Sequence, residues 1–436
     1  MKRSTPFALA AALCAFAIPA DAAPYCADLM SKDTLPSKYA KRGPFYSDKA
    51  DGWIVGQDQL KSNFEVSTEV DMLWREIKDT FAEHGIALSV LAAPPRPMFA
   101  SEQVLSQAGY SSDKIATEIA QPFSTYIAAL NEAGLTAPDL SKLAQGPMDS
   151  PFYFQRDTHW TPFGAAQAVA HLSVAMQGGE VPDALDGLTF DQSYSEKGSL
   201  SAVVEKTCGT RPAAEDVVAT NYAKSGAAAD LLGDAGAADV ALVGTSFSDR
   251  YKRDAYQVAD ALAFALDTQV DNFALTGGGL VGAMLSFIES GALVSGQYTR
   301  VVWESPYTAP LTNVHGLRQV LGALKAAGRP DVQALGEVQV SDDWVTLKGK
   351  FPYAAASGLQ IRLPGATTGK LYVELVTASG DKTKIKLIKS DRIPAEDRTE
   401  SWTLSLAGLA DIEVDRIKLR LVGEDQKHSA QVLLMN

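Results

Sequence analysis

Apolar residues recur three and four positions apart between residues 65 and 84, at Val70, Leu73, Trp74, Ile77 and Phe81, and this spacing predicts a helix with one buried face. His84 falls at its end beside Gly85, where an imidazole interacts with the helix dipole. The largely apolar run 86–92, interrupted only by Ser89, then reads as a buried parallel strand. The same exchange repeats downstream. Helices are expected over 112–133, interrupted at Pro122, and over 165–176, which contains His171. Strands are expected at 239–244, 270–275 and 300–304, with helices from about 249 to 266, through Glu289, and over 316–327. Strands alternating with helices imply a parallel sheet with covered faces, whose carboxyl ends carry the reactive groups. Residues 24–50 and 178–236 show no sustained period and are read as loops and short elements laid over that sheet. Residues 147–156 are read as a loop carrying Phe152, Tyr153 and Phe154.

After Gly328-Arg329-Pro330 the texture changes to short alternating runs beginning near Trp344, Leu359, Leu371, Lys384, Trp402 and Ile417. That pattern predicts an antiparallel β-sandwich over 335–436. Lys382, Lys384 and Lys386 share one face of such a strand, with Ile385 and Leu387 turned the other way. Beside Trp402 or a tyrosine, a basic face suits an acidic sugar polymer through ion pairs and ring stacking. The same lysines equally suit a plain solvated sheet face.

Residues 1–22 have the form of a secretory leader: Lys2 and Arg3, an apolar run from Phe7 to Ile18, and Ala20-Asp21-Ala22 as the cleavage site. The expected organisation is therefore a leader at 1–22, an α/β domain at 23–334 and a sandwich at 335–436, exported and soluble. The formal charge is −13, and it becomes −14 once Lys2, Arg3 and Asp21 are removed. The sandwich has equal numbers of acidic and basic residues, so the α/β part carries the whole excess. Such an acidic chain is a poor generic nucleic-acid binder. Loss of the leader also removes Cys14, leaving Cys26 and Cys208, which in an oxidising compartment are expected to form one disulfide.

Asp157-Thr158-His159 supplies the candidate chemistry. In an extended segment residues i and i+2 face the same way, and a carboxylate on imidazole Nδ1 leaves Nε2 free as a general base. The matching nucleophile is Ser246, where the apolar strand ending in Val243 runs into Gly244-Thr245-Ser246. The simpler roles are a surface pair for Asp157 and His159 and a helix cap for Ser246. A metal site would need further ligands, and neither His-x-x-x-His nor a cysteine cluster is present. No Gly-rich phosphate loop of P-loop or Rossmann spacing occurs, and no cofactor is expected.

Asp157-Thr158-His159-Trp160-Thr161-Pro162-Phe163-Gly164, followed by Gly244-Thr245-Ser246-Phe247-Ser248, resembles the AlgX/AlgJ-like alginate O-acetyltransferases. In that family an SGNH-hydrolase-like domain places the Asp-His pair ahead of the serine, a circularly permuted order. Asp51-Gly52-Trp53-Ile54-Val55-Gly56 and Pro94-Pro95-Arg96-Pro97 fit the same pattern, and the resemblance covers most of 24–330. A β-rich, carbohydrate-binding-like C-terminal segment extends it. The resemblance implies a periplasmic enzyme that moves acetyl through an acyl-serine to hydroxyls of an exported acidic polysaccharide, alginate or a similar polymer. It also implies a membrane acyltransferase and a periplasmic assembly that supply the acetyl group. Oxyanion donors are expected at the Ser246 N–H and in the turn holding Gly277 and Gly278, with Tyr307 adding its hydroxyl. The usual Gly-Asp-Ser-Leu at the nucleophile and a clear Gly-x-Asn-Asp are both missing. An acetyl-esterase with the same three residues and a non-catalytic polysaccharide-binding export factor are the alternatives.

Overall fold

A computed structural model of the protein describes residues 23–61, 63–222, 237–328, 330–351, 358–409 and 414–436. The leader expected at 1–22 lies outside the described residues. In chain order the first strands are the antiparallel hairpin β1 (Phe45–Ser47) and β2 (Ile54–Gly56), then β3 (Ala87–Ala92). A second hairpin, β4 (Gln192–Glu196) and β5 (Glu215–Ala219), precedes β6 (Val240–Val243), β7 (Val270–Asn272) and β8 (Arg300–Ser305).

The apolar runs assemble as their composition requires. Strands β3, β8, β6 and β7 lie side by side in that order, all parallel, and β6 is buried along its whole length. Helices Thr68–Glu83, Pro162–Gln177, Val258–Leu266 and Gly279–Glu289 contribute their apolar faces to the same core. Ser67 caps the first of them, its hydroxyl accepting from the Val70 N–H at 3.2 Å.

Two local expectations need correction. Pro122 does not break its helix: residues Ala116–Ala120 form one wide π turn just ahead of helix Gln121–Glu132, and that turn absorbs the missing N–H. The helix placed at about 249 begins only at Val258. Its cap is Asp254, whose carboxylate accepts the N–H groups of Val258 and Ala259, both at 2.8 Å. The residues before it wind back across the sheet edge, with Tyr251, Lys252 and Gln257 at positive φ.

The C-terminal strands are β9 (Val332–Val340), β10 (Val345–Phe351), β11 (Gly358–Arg362), β12 (Gly369–Thr377), β13 (Lys382–Lys389), β14 (Ser401–Ser405), β15 (Val414–Val422) and β16 (His428–Met435). They form two antiparallel sheets, ordered β10-β15-β12-β13 and β14-β11-β16-β9, around a shared core that includes Leu371, Leu387, Ile417 and Leu434. Trp402 belongs to that core. Its ring is buried and its indole N–H donates to Ala366 O at 2.9 Å, so it cannot stack on a sugar. This overturns the expectation that it borders a binding face.

The two parts meet along helix Val314–Ala327, and a Cβ at Gly322 would lie 2.6 Å from the Leu404 backbone. Arg318, buried at the seam, donates to Ser405 O and Ala407 O and pairs with Glu69 at 2.7 Å. Gln319 exchanges two hydrogen bonds with the Ile388 backbone, and buried Lys389 pairs with Glu289 at 2.8 Å.

Cys26 and Cys208 are joined, with their Cα atoms 5.8 Å apart and 182 positions between them. The bridge ties the first described turn to helix Ser199–Cys208, whose amino end reaches the site below. Cys26→Ser with Cys208→Ser is expected to lower unfolding free energy by about 2–4 kcal/mol. Urea midpoints of the two forms measure it.

Candidate active site

The stretch from Phe152 to Thr161 is a hairpin: Thr161 N–H donates to Phe152 O at 2.9 Å and Phe154 N–H to His159 O at 3.3 Å. Thr161 then caps helix Pro162–Gln177, its hydroxyl accepting from Gly164 N–H at 3.0 Å, with Pro162 in the first turn. Gly164 is required because a Cβ there would lie 2.1 Å from Phe152 O. Asp157 and His159 therefore meet at a hairpin tip rather than along an extended segment. Asp157 Oδ1 accepts both the His159 backbone N–H, at 3.0 Å, and the ring Nδ1.

Buried Arg96 fixes that hairpin from below. Its guanidinium donates to Ile54 O, Phe154 O, Gln155 O and Gln59 Oε1 and stacks on Trp53 at 4.6 Å. Two motifs distant in sequence, 51–56 and 94–97, thus brace a third.

On the other side β6 delivers Ser246. Thr245 O accepts from Ser248 N–H at 3.1 Å and Asp249 N–H at 3.0 Å, closing a single turn that does not continue as helix. Ser246 is consequently not a helix cap. His159 Nε2 lies 2.8 Å from its Oγ across 87 positions of sequence. A carboxylate only accepts, so Asp157 holds the Nδ1–H tautomer and leaves the Nε2 lone pair toward the serine hydroxyl. The Ser246 N–H meets no acceptor among the described residues.

Asp157 is 0% exposed. Burial alone would raise its carboxyl; the His159 ring, the Arg250 charge and the Ser199 N–H outweigh it and hold the group well below the usual carboxylate range. Tyr256 stacks on the imidazole at 5.1 Å, and Phe247 meets its edge at 4.8 Å.

The cleft above Ser246 encloses about 320 Å³ and is lined also by Arg42, Asp58, Gly277 and Tyr307. Gly277 is held there because Thr276 N–H donates to Asp249 Oδ2 at 2.9 Å. Gly278 is not available as an oxyanion donor: its N–H is committed to Leu275 O at 3.2 Å and it faces the adjoining groove. Tyr307 is buried, its phenol pushed up by burial and its oxygen accepting from Gln59 Nε2 at 2.8 Å. The adjoining groove, of about 650 Å³, shares Asp58, Gly279 and Leu280 with the cleft and extends to His315 and to Lys386 of β13.

Lys382 and Lys384 are exposed on the outer face of β13. Lys384 lies 4.5 Å over the Tyr372 ring and 5.2 Å over Trp344, and Lys418 lies 5.1 Å over the same indole. The aromatic partners of the basic face are thus a tyrosine, Tyr372, as expected, and Trp344 rather than Trp402. Ser199, Tyr256 and Glu304 were also missed; of these, Glu304 had a visible signal, a carboxylate ending an otherwise apolar strand. Among the described residues no group of three His, Cys, Asp or Glu side chains could hold a metal ion, and no helix is long and apolar enough to cross a membrane.

A family model described as SGNH hydrolase-like domain, acetyltransferase AlgX, matches residues 50–307. The chain is 28% identical over 282 residues to the alginate biosynthesis protein AlgX of Pseudomonas putida, covering 62% of this chain and 57% of that protein. It is 27% identical over 304 residues to the probable alginate O-acetylase AlgJ of Azotobacter vinelandii, covering 65% of this chain and 75% of that one. The solved structure of Pseudomonas aeruginosa AlgX matches with a TM-score of 0.71 at 19% identity, over 94% of this chain and 100% of that chain, a likeness of fold. The alignments to these two curated relatives therefore span 57% and 75% of the relatives' own lengths.

Proposed function

Because the chain belongs to the family of SGNH hydrolase-like, AlgX-type acetyltransferase domains, we propose that it is an exported O-acetyltransferase acting on an acidic polysaccharide of the alginate kind. The observation that carries this reading is the 2.8 Å approach of His159 Nε2 to Ser246 Oγ at the floor of a cleft continuous with a long groove.

Ser246 Oγ attacks the carbonyl carbon of an acetyl ester as His159 Nε2 takes its proton, and Asp157 stabilises the imidazolium. The carbonyl oxygen gains negative charge and is met by the N–H of Ser246 and that of Gly277. Collapse expels the donor's alcohol, which receives the proton from His159, and leaves acetyl-Ser246. A sugar hydroxyl, deprotonated by His159, then attacks the acetyl carbon and frees the serine. Tyr307 lines the same cleft. Arg42, held by Asp58 at 3.0 Å, is the permanent cation among the described residues lining this cleft and suits a uronate carboxylate in an otherwise acidic chain. Lys386 in the groove, with Lys382 and Lys384 beyond it, continues the cationic track. The acetyl donor is supplied by a membrane acyltransferase within an export assembly. The leader at 1–22 and the division at 334/335 form part of the same proposal.

The test is to incubate the purified protein with an activated acetyl ester, with and without acetyl-free oligomannuronate, following acetate and modified sugar separately. Acetylated sugar formed only with intact Ser246 supports transfer. Acetate release indifferent to the acceptor, with deacetylation of an acetylated oligomer, would replace transferase by esterase. Lys384→Ala combined with Lys386→Ala is expected to weaken oligomannuronate binding about tenfold and flatten its salt dependence. Titration calorimetry at two salt concentrations measures both.

A further inference from the structure

One buried acid beside the nucleophile takes no part in that chemistry. Glu304, next to last in β8, is 0% exposed and aims its carboxylate at the turn that delivers Ser246. Its Oε2 accepts the Thr245 N–H at 2.6 Å and the Ser248 hydroxyl at 3.2 Å, and its Oε1 accepts the Thr245 hydroxyl at 3.0 Å. The donors flank Ser246 in sequence, so both shoulders of the turn are tied to one rigid strand. Room for the carboxylate is bought by Gly244, where a Cβ would stand 2.5 Å from Oε2.

A carboxylate is an expensive way to fill a buried strand end, since an apolar residue would pack there without desolvating a charge. Its use is directional. Three donors from two residues converge on one acceptor pair, which fixes the Gly244–Thr245 peptide plane and hence where the next residue projects. We infer that Glu304 is a positioning residue: it holds the turn so that Ser246 Oγ faces His159 Nε2, and does so as the ionised acceptor of the Thr245 and Ser248 donors. The inference rests on Ser246 being the nucleophile.

Burial pushes the Glu304 carboxyl up to about 7. The groups that face it from the β6 turn are neutral, and the titratable group coupled to it from the hairpin is the Tyr153 phenol, itself raised by burial. Protonation puts a hydrogen on one of these oxygens, and the Thr245 or Ser248 hydroxyl must turn from donating to accepting. As pH falls through about 7 the turn therefore exchanges a charge-assisted acceptor for a neutral one.

Glu304→Gln keeps the shape and removes the ionisation, and its amide nitrogen reverses one bond by donating to a hydroxyl that had donated to the carboxylate. With nitrophenyl acetate as substrate, kcat is expected to fall roughly tenfold to a hundredfold, with KM within about twofold. The acid limb of the kcat profile should also lose one ionisation relative to the wild-type protein. An unchanged kcat with an unchanged acid limb would overturn the inference, and so would a loss expressed as a rise in KM. If Glu304→Gln does not fold, Ser248→Ala decides: a several-fold lower kcat at constant KM supports positioning, and wild-type kcat refutes it. Full turnover by Ser246→Ala would instead remove the nucleophile reading itself, whichever way the Glu304 variants behave.

Discussion

Ser246→Ala is expected to abolish acetyl transfer, lowering kcat by roughly 10⁵–10⁶ while leaving the fold intact. On the proposed route the hydroxyl oxygen is the atom that becomes acylated. The cleft residues Thr158, Thr245, Tyr307 and Thr308 also carry hydroxyls, but Thr245 is bound to Glu304, Tyr307 is bonded to Gln59, and the imidazole faces Ser246. The variant keeps the Ser246 N–H and the turn bonds through Thr245 O, so thermal unfolding should match the wild-type protein. Intact mass after mixing with an activated acetyl ester gives a second readout. The wild-type protein should gain one acetyl group transiently, and Ser246→Ala none. Acetylation or turnover persisting in the variant would rule out an acyl-serine route.

On the proposed reading the two halves of the chain bear on one substrate. The α/β part is acidic overall, yet the cleft above Ser246 presents Arg42, paired with Asp58, and the adjoining groove presents Lys61 and Lys386. Long-range repulsion of a polyanion is thereby offset where its hydroxyls must approach the serine. The seam built by Arg318, Gln319 and Lys389 holds the sandwich in place, because each of these is buried and bonded across it. A polymer bound along β13 would then meet the cleft at a fixed distance, which favours modification of internal sugars over chain ends.

Periodicity made the central sheet legible. Strand β6 is a continuous apolar run and β3 and β8 are mostly apolar because both faces are covered, and the helix at 68–83 shows its buried stripe directly. Asp157, His159 and Ser246 could be picked out because their chemistry is carried by short local motifs. What failed depended on partners far away in sequence. The start of the helix at Val258 is set by the Asp254 cap and by Asp249 reaching Thr276, and neither leaves a periodic trace. Asp157's third hydrogen bond comes from Ser199, 42 positions on. Trp402 is a different failure. It shares strand parity with Leu404 and Leu406, both buried, so alternation already pointed it inward, and its ring was matched to the lysines by residue type alone. Trp344, between two strands at a turn, was the aromatic their ammonium groups reach.

Asp157→Asn should lower kcat by about 10³–10⁴ with little change in KM. Asp157 Oδ1 now accepts from the His159 ring and Oδ2 from the Ser199 N–H, so both oxygens are engaged by donors. An amide offers one oxygen and one NH₂, and whichever way it turns one of those donors loses its acceptor. If the NH₂ faces the imidazole, the ring flips to the tautomer with the proton on Nε2, which cannot take a proton from Ser246. The pH dependence of stability follows from the same contacts. The Asp157 carboxyl is held below its ordinary value, so its contribution is complete above the unfolded carboxylate pKa of about 4 and is lost as pH falls through the lower folded value. Wild-type protein should therefore exceed the variant by about 1–3 kcal/mol at neutral pH, the cost of an unsatisfied buried donor and a lost charge-assisted bond. That margin should shrink below about pH 4, where the aspartate itself begins to protonate in the unfolded chain. Urea midpoints at pH 7 and pH 3 measure the margin, and an equal difference at both would mean that Asp157 is not ionised in the folded protein.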